Sequence, residues 1–157
     1  MANECPAMRV RQISRILSNI FDEELRPLGL QLSQLPVLVG AAMCGERGVQ
    51  IGKLAGAMVM DPTTLTRKVR PLERSKLVRL VRDPDDARAR RIVLTPSGQR
   101  MLEDALPLWK RAKKRAEAHF GAGTLADLRA NLAPIVERFG GHTGGPIPGD
   151  PRRGPER

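Results

Sequence analysis

Apolar residues recur first as Ile13, Ile16, Leu17, Ile20, Phe21 and Leu25, the stripe of one helix from about Met8 to Leu28, closed by Pro27 and Gly29. A second helix is expected from Ser33, a suitable N-cap, through Leu35, Val37, Leu38, Val39, Ala42 and Met43. It is apolar nearly all round, as a buried helix is, and Gly45 and Gly48 end it. A short helix over Ile51 to Ala57 follows, with Leu54 and Met58 inward, and a tight link through Val59 and Met60 leads out of it. Asp61 then suits an N-cap and Pro62 the first turn, where no N–H is needed, so another helix starts here with Leu65, Val69 and Leu72 as its inner stripe.

The pattern then changes period. Leu77 to Arg82 and Arg91 to Thr95 are short runs rich in β-branched residues, separated by charged residues 83–90, which predicts a hairpin with a long charged tip. Thr95 and Pro96 repeat the cap-then-proline start and open a long helix with the stripe Leu102, Ala105, Leu106, Trp109, Ala112 and Ala116, ended by Gly121 and Gly123. Thr124 with Asp127 resembles a capping box for a last helix whose inner residues are Leu125, Leu128, Leu132, Ile135, Val136 and Phe139. Residues 140–157, rich in Gly, Pro and Arg, cannot build a core and are expected to be a disordered tail. Pro71 falls inside the helix opened by Asp61, which is expected to bend or end early there, and Pro107 and Pro134 inside the last two helices imply kinks.

Composition narrows what this arrangement is for. The chain of 157 residues has one Trp, three Phe and no Tyr, so its core is aliphatic. Its formal net charge of +10 attracts phosphate polymers, anionic lipid or acidic proteins. No apolar run approaches the roughly 20 residues of a membrane span, and no signal-peptide pattern opens the chain, so a cytoplasmic protein without a membrane partner is expected. From Asp61 to Arg91 ten Lys and Arg stand against five Asp and Glu, so this segment supplies +5 of the +10.

Two short helices joined by a tight turn, the second polar outside, match a helix-turn-helix whose second helix enters the major groove, and the hairpin after it is then a wing. Thr63, Thr64, Arg67, Lys68 and Arg70 lie on the outer side of that second helix. Arg can donate two bonds to a guanine edge, Thr methyls can meet thymine methyls, and Lys neutralises phosphate. Read alone, the same face is also what a solvated basic surface helix looks like. An architectural or RNA-associated basic protein without sequence preference is the alternative function, although the scarcity of aromatics disfavours stacking on single strands.

The runs MDPTTLTRKVRPLERSKLV and DPDDARARRIVLTPSG resemble the winged-helix MarR (multiple antibiotic resistance regulator) family of bacterial transcription factors, over about residues 8–139. The family's wing carries Asp-x-Arg and ends in Leu-Thr-x-x-Gly, here Asp86 with Arg88 and Leu94-Thr95-Pro96-Ser97-Gly98. The fold implied is mainly α with a small β wing. It is a single unit within 1–139, with the winged helix-turn-helix at about 32–96 and dimerisation helices at about 8–28 and 97–139. The resemblance implies that Arg88 reaches the minor groove while Asp86 holds the wing, and that Thr63, Thr64, Arg67 and Lys68 meet the major groove; Arg70 and Arg90 are further candidate DNA contacts, Arg70 toward phosphate. Arg70-Pro71 departs from the family's usual Asp-Arg, which puts the reach of Arg70 and Arg74 in question.

The implied protein is a sequence-specific regulator of double-stranded DNA, a repressor released by a small-molecule or thiol-reactive effector. It acts as a homodimer on a pseudo-palindromic operator with half-sites about 10 bp apart. Apolar stripes on the first and the two last helices, too many for a winged helix to bury, agree with a partner chain. The family's effectors are often small phenolic or anionic molecules held between dimer helices and winged helix. Cys5, before the first helix with Arg9 and Arg11 near in sequence, is either a redox or metalloid sensor or an incidental thiol at a frayed terminus. Cys44 is expected to be buried packing. The run 110–115 is expected to be a solvated basic face offset by Asp22, Glu23 and Glu24. No cofactor, metal or enzymatic activity is expected, because neither a metal-ligand spacing nor a nucleophile–base arrangement appears.

Overall fold

The computed structural model describes residues 5–139, so the tail expected at 140–157 lies outside the described residues. The order of elements is α1 (Pro6–Leu25), α2 (Leu35–Met43), β1 (Val49–Gln50), α3 (Ile51–Ala57), α4 (Pro62–Arg74), β2 (Val78–Arg82), β3 (Arg90–Leu94), α5 (Pro96–Phe120) and α6 (Ala122–Phe139). Among the described residues the chain is mainly helical with one antiparallel sheet in the order β1-β3-β2, the winged-helix arrangement that the sequence pattern predicts.

A main core gathers Leu25, Leu38, Leu65, Val69, Leu72 and Ile92, joining α2, α4 and the sheet to the end of α1. A smaller cluster of Ile20, Ala112 and Ala116 lies where α1 crosses α5. The alanines let the two helices approach, and Phe21 meets Trp109 at 6.1 Å between ring centroids. Charge joins the same pair of helices. Glu24 accepts from Arg111 at 2.6 Å and from Arg115 at 2.9 Å, while Glu23 accepts from Arg115 at 2.8 Å. Hydrogen bonds from Arg115, then Arg111, hold the Glu24 carboxyl below the usual carboxylate range. Of the run 110–115, Arg111 and Arg115 are thus offset by Glu23 and Glu24, while Lys113 pairs with Glu117 of the same helix. Asp22 instead accepts the Leu32 N–H at 2.6 Å, tying α1 to the turn before α2.

The start of α5 explains the Leu-Thr-x-x-Gly motif. The Thr95 hydroxyl accepts the Gly98 N–H at 3.0 Å and donates toward the carbonyls of Lys76 and Leu77. A Cβ at residue 98 would collide with the Leu77 carbonyl oxygen, so only glycine lets this first turn sit against the wing's root. Helix α4 continues through Pro71 to Arg74, and α5 and α6 continue through Pro107 and Pro134, so none of the three prolines ends its helix.

Several expectations are corrected. Ser33 does not cap α2; it lies in a 3₁₀ turn, Leu32–Gln34, whose first and last groups are tied by Gln31 and Gln34. Helix α2 is not buried all round, since Val39 and Met43 face outward, Met43 being 83 % exposed. Helix α6 begins at Ala122, before Thr124, because Gly121 at φ 82 ends α5 and the chain re-enters helix at once. Ile135 and Val136 are exposed in the single chain, as are Leu106 and Trp109 of the α5 stripe.

Candidate nucleic-acid interface

Helix α3 ends in a Schellman turn, with the Val59 N–H donating to Gly56 O and the Met60 N–H to Ala55 O. Val59 takes the left-handed conformation there at φ 51, a position that normally favours glycine. Two residues on, Asp61 caps α4, accepting the Thr64 N–H at 2.8 Å and the Thr64 hydroxyl as well. The hydroxyl and then the N–H of Thr64 hold the Asp61 carboxyl below its ordinary range.

Burial of Leu65, Val69 and Leu72 fixes how α4 is turned. Thr63, Arg67, Arg70 and Arg74 are all exposed. Their spacing of i, i+4, i+7 and i+11 makes them one line on the side away from the core. Thr64 and Lys68 are half-buried on the shoulder of the helix, and the Thr64 hydroxyl is engaged by the cap. The five residues expected to form one face therefore split into an outer line of Thr63, Arg67 and Arg70 and a shoulder of Thr64 and Lys68. Arg74 joins the line because Pro71 does not end the helix.

The wing is more tightly built than a charged loop. Asp86 accepts the Arg88 N–H at 2.9 Å through its side chain and the Ala89 N–H at 2.9 Å through its carbonyl. This leaves the Arg88 side chain exposed at the tip. Arg90 lies directly across from Arg82 in the β2–β3 register, both exposed. Like charges facing each other across two strands destabilise a hairpin, so the pair makes sense beside a polyanion. Arg82 is a residue the sequence reading missed, although alternation along the hairpin marks it once the register is known.

At the base of the wing stands Asp83, the one charged residue among the described ones that is buried. Its carboxylate accepts from Arg91 Nε at 2.8 Å, from the Asp85 N–H at 2.9 Å and from the Gln50 amide. Burial by itself raises the carboxyl's pKa, but the Asp85 N–H, the Gln50 amide and the Arg91 guanidinium outweigh it and hold the group at about 2. Arg91 also reaches the carbonyl of Gly48 at 3.3 Å. Neither Asp83 nor the two-residue strand β1 that carries Gln50 was expected from sequence.

Of the two thiols, Cys5 is the partly exposed N-cap residue of α1. Cys44, expected to be buried, is exposed, because the chain turns outward at the end of α2 into a 3₁₀ turn. An apolar cleft of about 460 Å³ lies between α2 and α5, lined by Leu35, Val39, Leu102, Leu106 and Trp109 among others. No group of three or more metal-ligating side chains occurs among the described residues, and no described helix is long and apolar enough to cross a membrane.

Comparison with known proteins places this arrangement. A model of the MarR family matches residues 46–89, from the turn before β1 to the wing. The chain is 30 % identical to the Mycobacterium tuberculosis transcriptional regulator MosR, solved in complex with DNA. That likeness has a TM-score of 0.74 and covers 85 % of this chain and 95 % of the other. It is 25 % identical to CouR from Rhodococcus jostii, solved bound to p-coumaroyl-CoA, with a TM-score of 0.70 over 87 % of this chain and 94 % of that one. An uncharacterised HTH-type transcriptional regulator of Bacillus subtilis, YsmB, is 35 % identical over 72 residues, which span 45 % of this chain and about half (49 %) of that relative.

Proposed function

The chain belongs to the MarR family of transcription regulators, which are not enzymes, and from that premise we propose that it is a sequence-specific, double-stranded-DNA-binding homodimer that represses a promoter until an effector releases it. The observation that carries the reading is the outer line of α4. Thr63, Arg67, Arg70 and Arg74 are all exposed on a helix whose other side is sealed into the core. In this reading Arg67 and Arg70 read base edges in the major groove and Thr63 offers a methyl group. Thr64 and Lys68, on the shoulder, lie toward the phosphates. Arg88 enters a narrow minor groove, Asp86 shapes the tip that aims it, and Arg82 and Arg90 flank the backbone.

The dimer would bury what a single chain leaves open: Met8, Val10 and Ile16 on α1, and Ile135 and Val136 on α6. The working unit then lies within residues 1–139, with the winged helix-turn-helix at about 32–96 and the dimerisation helices at about 8–28 and 97–139. Two-fold symmetry sets a pseudo-palindromic operator with half-sites about 10 bp apart, met in the cytoplasm. The cleft between α2 and α5, apolar and bordered by Trp109, suits the ring of a phenolic effector. The solved complex of CouR with p-coumaroyl-CoA supports looking for effectors that join such a ring to an anionic group. Cys5 offers a second route, release by a thiol reagent, and Cys44 is exposed as well, so Cys5→Ser and Cys44→Ser must be compared.

The test begins with selection of bound fragments from a bacterial genome, followed by titration of the selected and a random duplex over a range of salt. Arg67→Ala is expected to weaken the selected duplex by about 5- to 150-fold, in the range of a lost base contact, with little effect on random DNA. Lys68→Ala should weaken both alike and flatten the salt slope by about one phosphate. Binding of all duplexes with one affinity would favour a non-specific architectural protein.

A further inference from the structure

We propose that Asp83 is a positioning residue that sets the aim of the minor-groove arginine, Arg88, by locking the wing to the strand that leads into the helix-turn-helix. This rests on the DNA-binding reading above and adds a residue to it.

The carboxylate of Asp83 is buried, and a buried carboxylate is tolerated only where hydrogen bonds and charge meet it. Its partners come from three separate segments. Arg91 belongs to β3, Asp85 to the loop, and Gln50 to β1. Gln50 is also the N-cap residue of α3, yet its side chain makes no bond to that helix's free N–H groups; it is spent on Asp83 instead. Arg91 extends the link to the carbonyl of Gly48. A Cβ at residue 48 would collide with the Ile92 carbonyl, so β1 and β3 meet there in a close approach that fixes their relation. Asp83 therefore joins the base of the wing to the residue immediately before α3.

From the same residue the chain runs directly to the tip. The Asp83 N–H donates to Ala89 O at 3.1 Å, closing residues 83–89 into a loop, and inside it Asp86 holds the Arg88 N–H. The Arg88 side chain is exposed in the turn between β2 and β3. Its direction follows from the loop, and the loop's from Asp83. Arg47 and Arg91 reach Asp85 at 3.8 and 3.6 Å, the same link carried outward at the rim.

The test is a double-mutant cycle on the full chain, with Asp83→Asn, Arg88→Ala and both together, titrated against the genome-selected duplex. Arg88→Ala alone should weaken binding about tenfold or more, the scale of one lost specific contact. In the Asp83→Asn background it should cost less than about threefold, because the arginine is no longer aimed. Asp83→Asn should also lose the preference for A·T over G·C pairs at the operator's flanks, as Arg88→Ala does, while preferences beneath α4 stay as they were. If Asp83→Asn folds poorly by circular dichroism, Gln50→Leu replaces it, removing one bond of the lock, with the same non-additivity expected. Losses that multiply, or an unchanged flank preference, overturn the positioning role and leave the DNA-binding reading intact. No loss from Arg88→Ala by itself would remove the minor-groove contact, and with it the premise of the lock.

Discussion

Replacing Ile135 by Asp tests whether α6 belongs to an interface. The side chain is 56 % exposed in the single chain. Burial of an isoleucine yields roughly 1.5–3 kcal/mol, so about 1–1.5 kcal/mol per copy is still to be gained. An isologous interface contains the position twice, doubling this to about 2–3 kcal/mol. The substitution forfeits that and adds the cost of desolvating two carboxylates, so the dimer dissociation constant should rise at least about hundredfold, the equivalent of roughly 3 kcal/mol. Within a lone chain an exposed site is nearly indifferent, about ±0.5 kcal/mol, so the variant should keep its helical signal. Sedimentation velocity over a range of concentrations reads the effect directly. Wild type should sediment at twice the chain mass of 17.3 kDa, and the variant should shift toward the single chain on dilution. A wild-type monomer, or a variant that dimerises as tightly as wild type, refutes the reasoning.

Gly98→Ala places a methyl group against the Leu77 carbonyl. The backbone must move to admit it, and thermal unfolding should show a loss of about 1–3 kcal/mol. Val59→Gly removes a β-branched side chain from a left-handed site. It should raise stability by about 0.5–1 kcal/mol after the added freedom of the unfolded chain is counted, a gain of a few degrees in melting temperature. Asp83 has a folded pKa of about 2, below its ordinary value of about 3.9. Its contribution to stability is therefore complete above about pH 4 and is lost as pH falls toward 2. Arg91 and Asp85 face the group and Gln50 does not titrate, so Asp83→Asn should remove this step from the acid unfolding curve.

The helices were legible where local chemistry decides their ends. Asp61 with Pro62 and Thr95 with Pro96 both start helices in the structure, each with the capping hydrogen bond its residue type offers. Helix α3 falls on Ile51–Ala57, where periodicity put it. What escaped depends on distant partners. Strand β1 is two residues long and exists because Val49 and Gln50 pair with Ile92 and Arg91, which no local pattern announces. Asp83 sits in a run of acidic loop residues, and only the folded sheet makes it the buried one. Thr124 and Asp127 had the spacing of a capping box, but a left-handed glycine three residues earlier had already restarted the helix. In the candidate interface the side of α4 was readable from its leucines. The division between its outer line and its shoulder needed the burial of Thr64 and Lys68 in the folded chain, and the pairing of Arg82 with Arg90 needed the strand register.

The carbonyl of Leu77 meets both the Thr95 hydroxyl and the α-carbon surface of Gly98, so the root of the wing is fastened to the end of a rod. That rod, α5, has 25 residues and a length of about 37 Å. A swing of about 5° about its far end displaces the fastened end by about 3 Å, comparable to the spacing of adjacent base pairs. Under the effector reading proposed above, a small molecule wedged beside Trp109, about halfway along the rod, would move the fastened end about twice as far as it moves the helix beside it, and so shift the arginines without touching them.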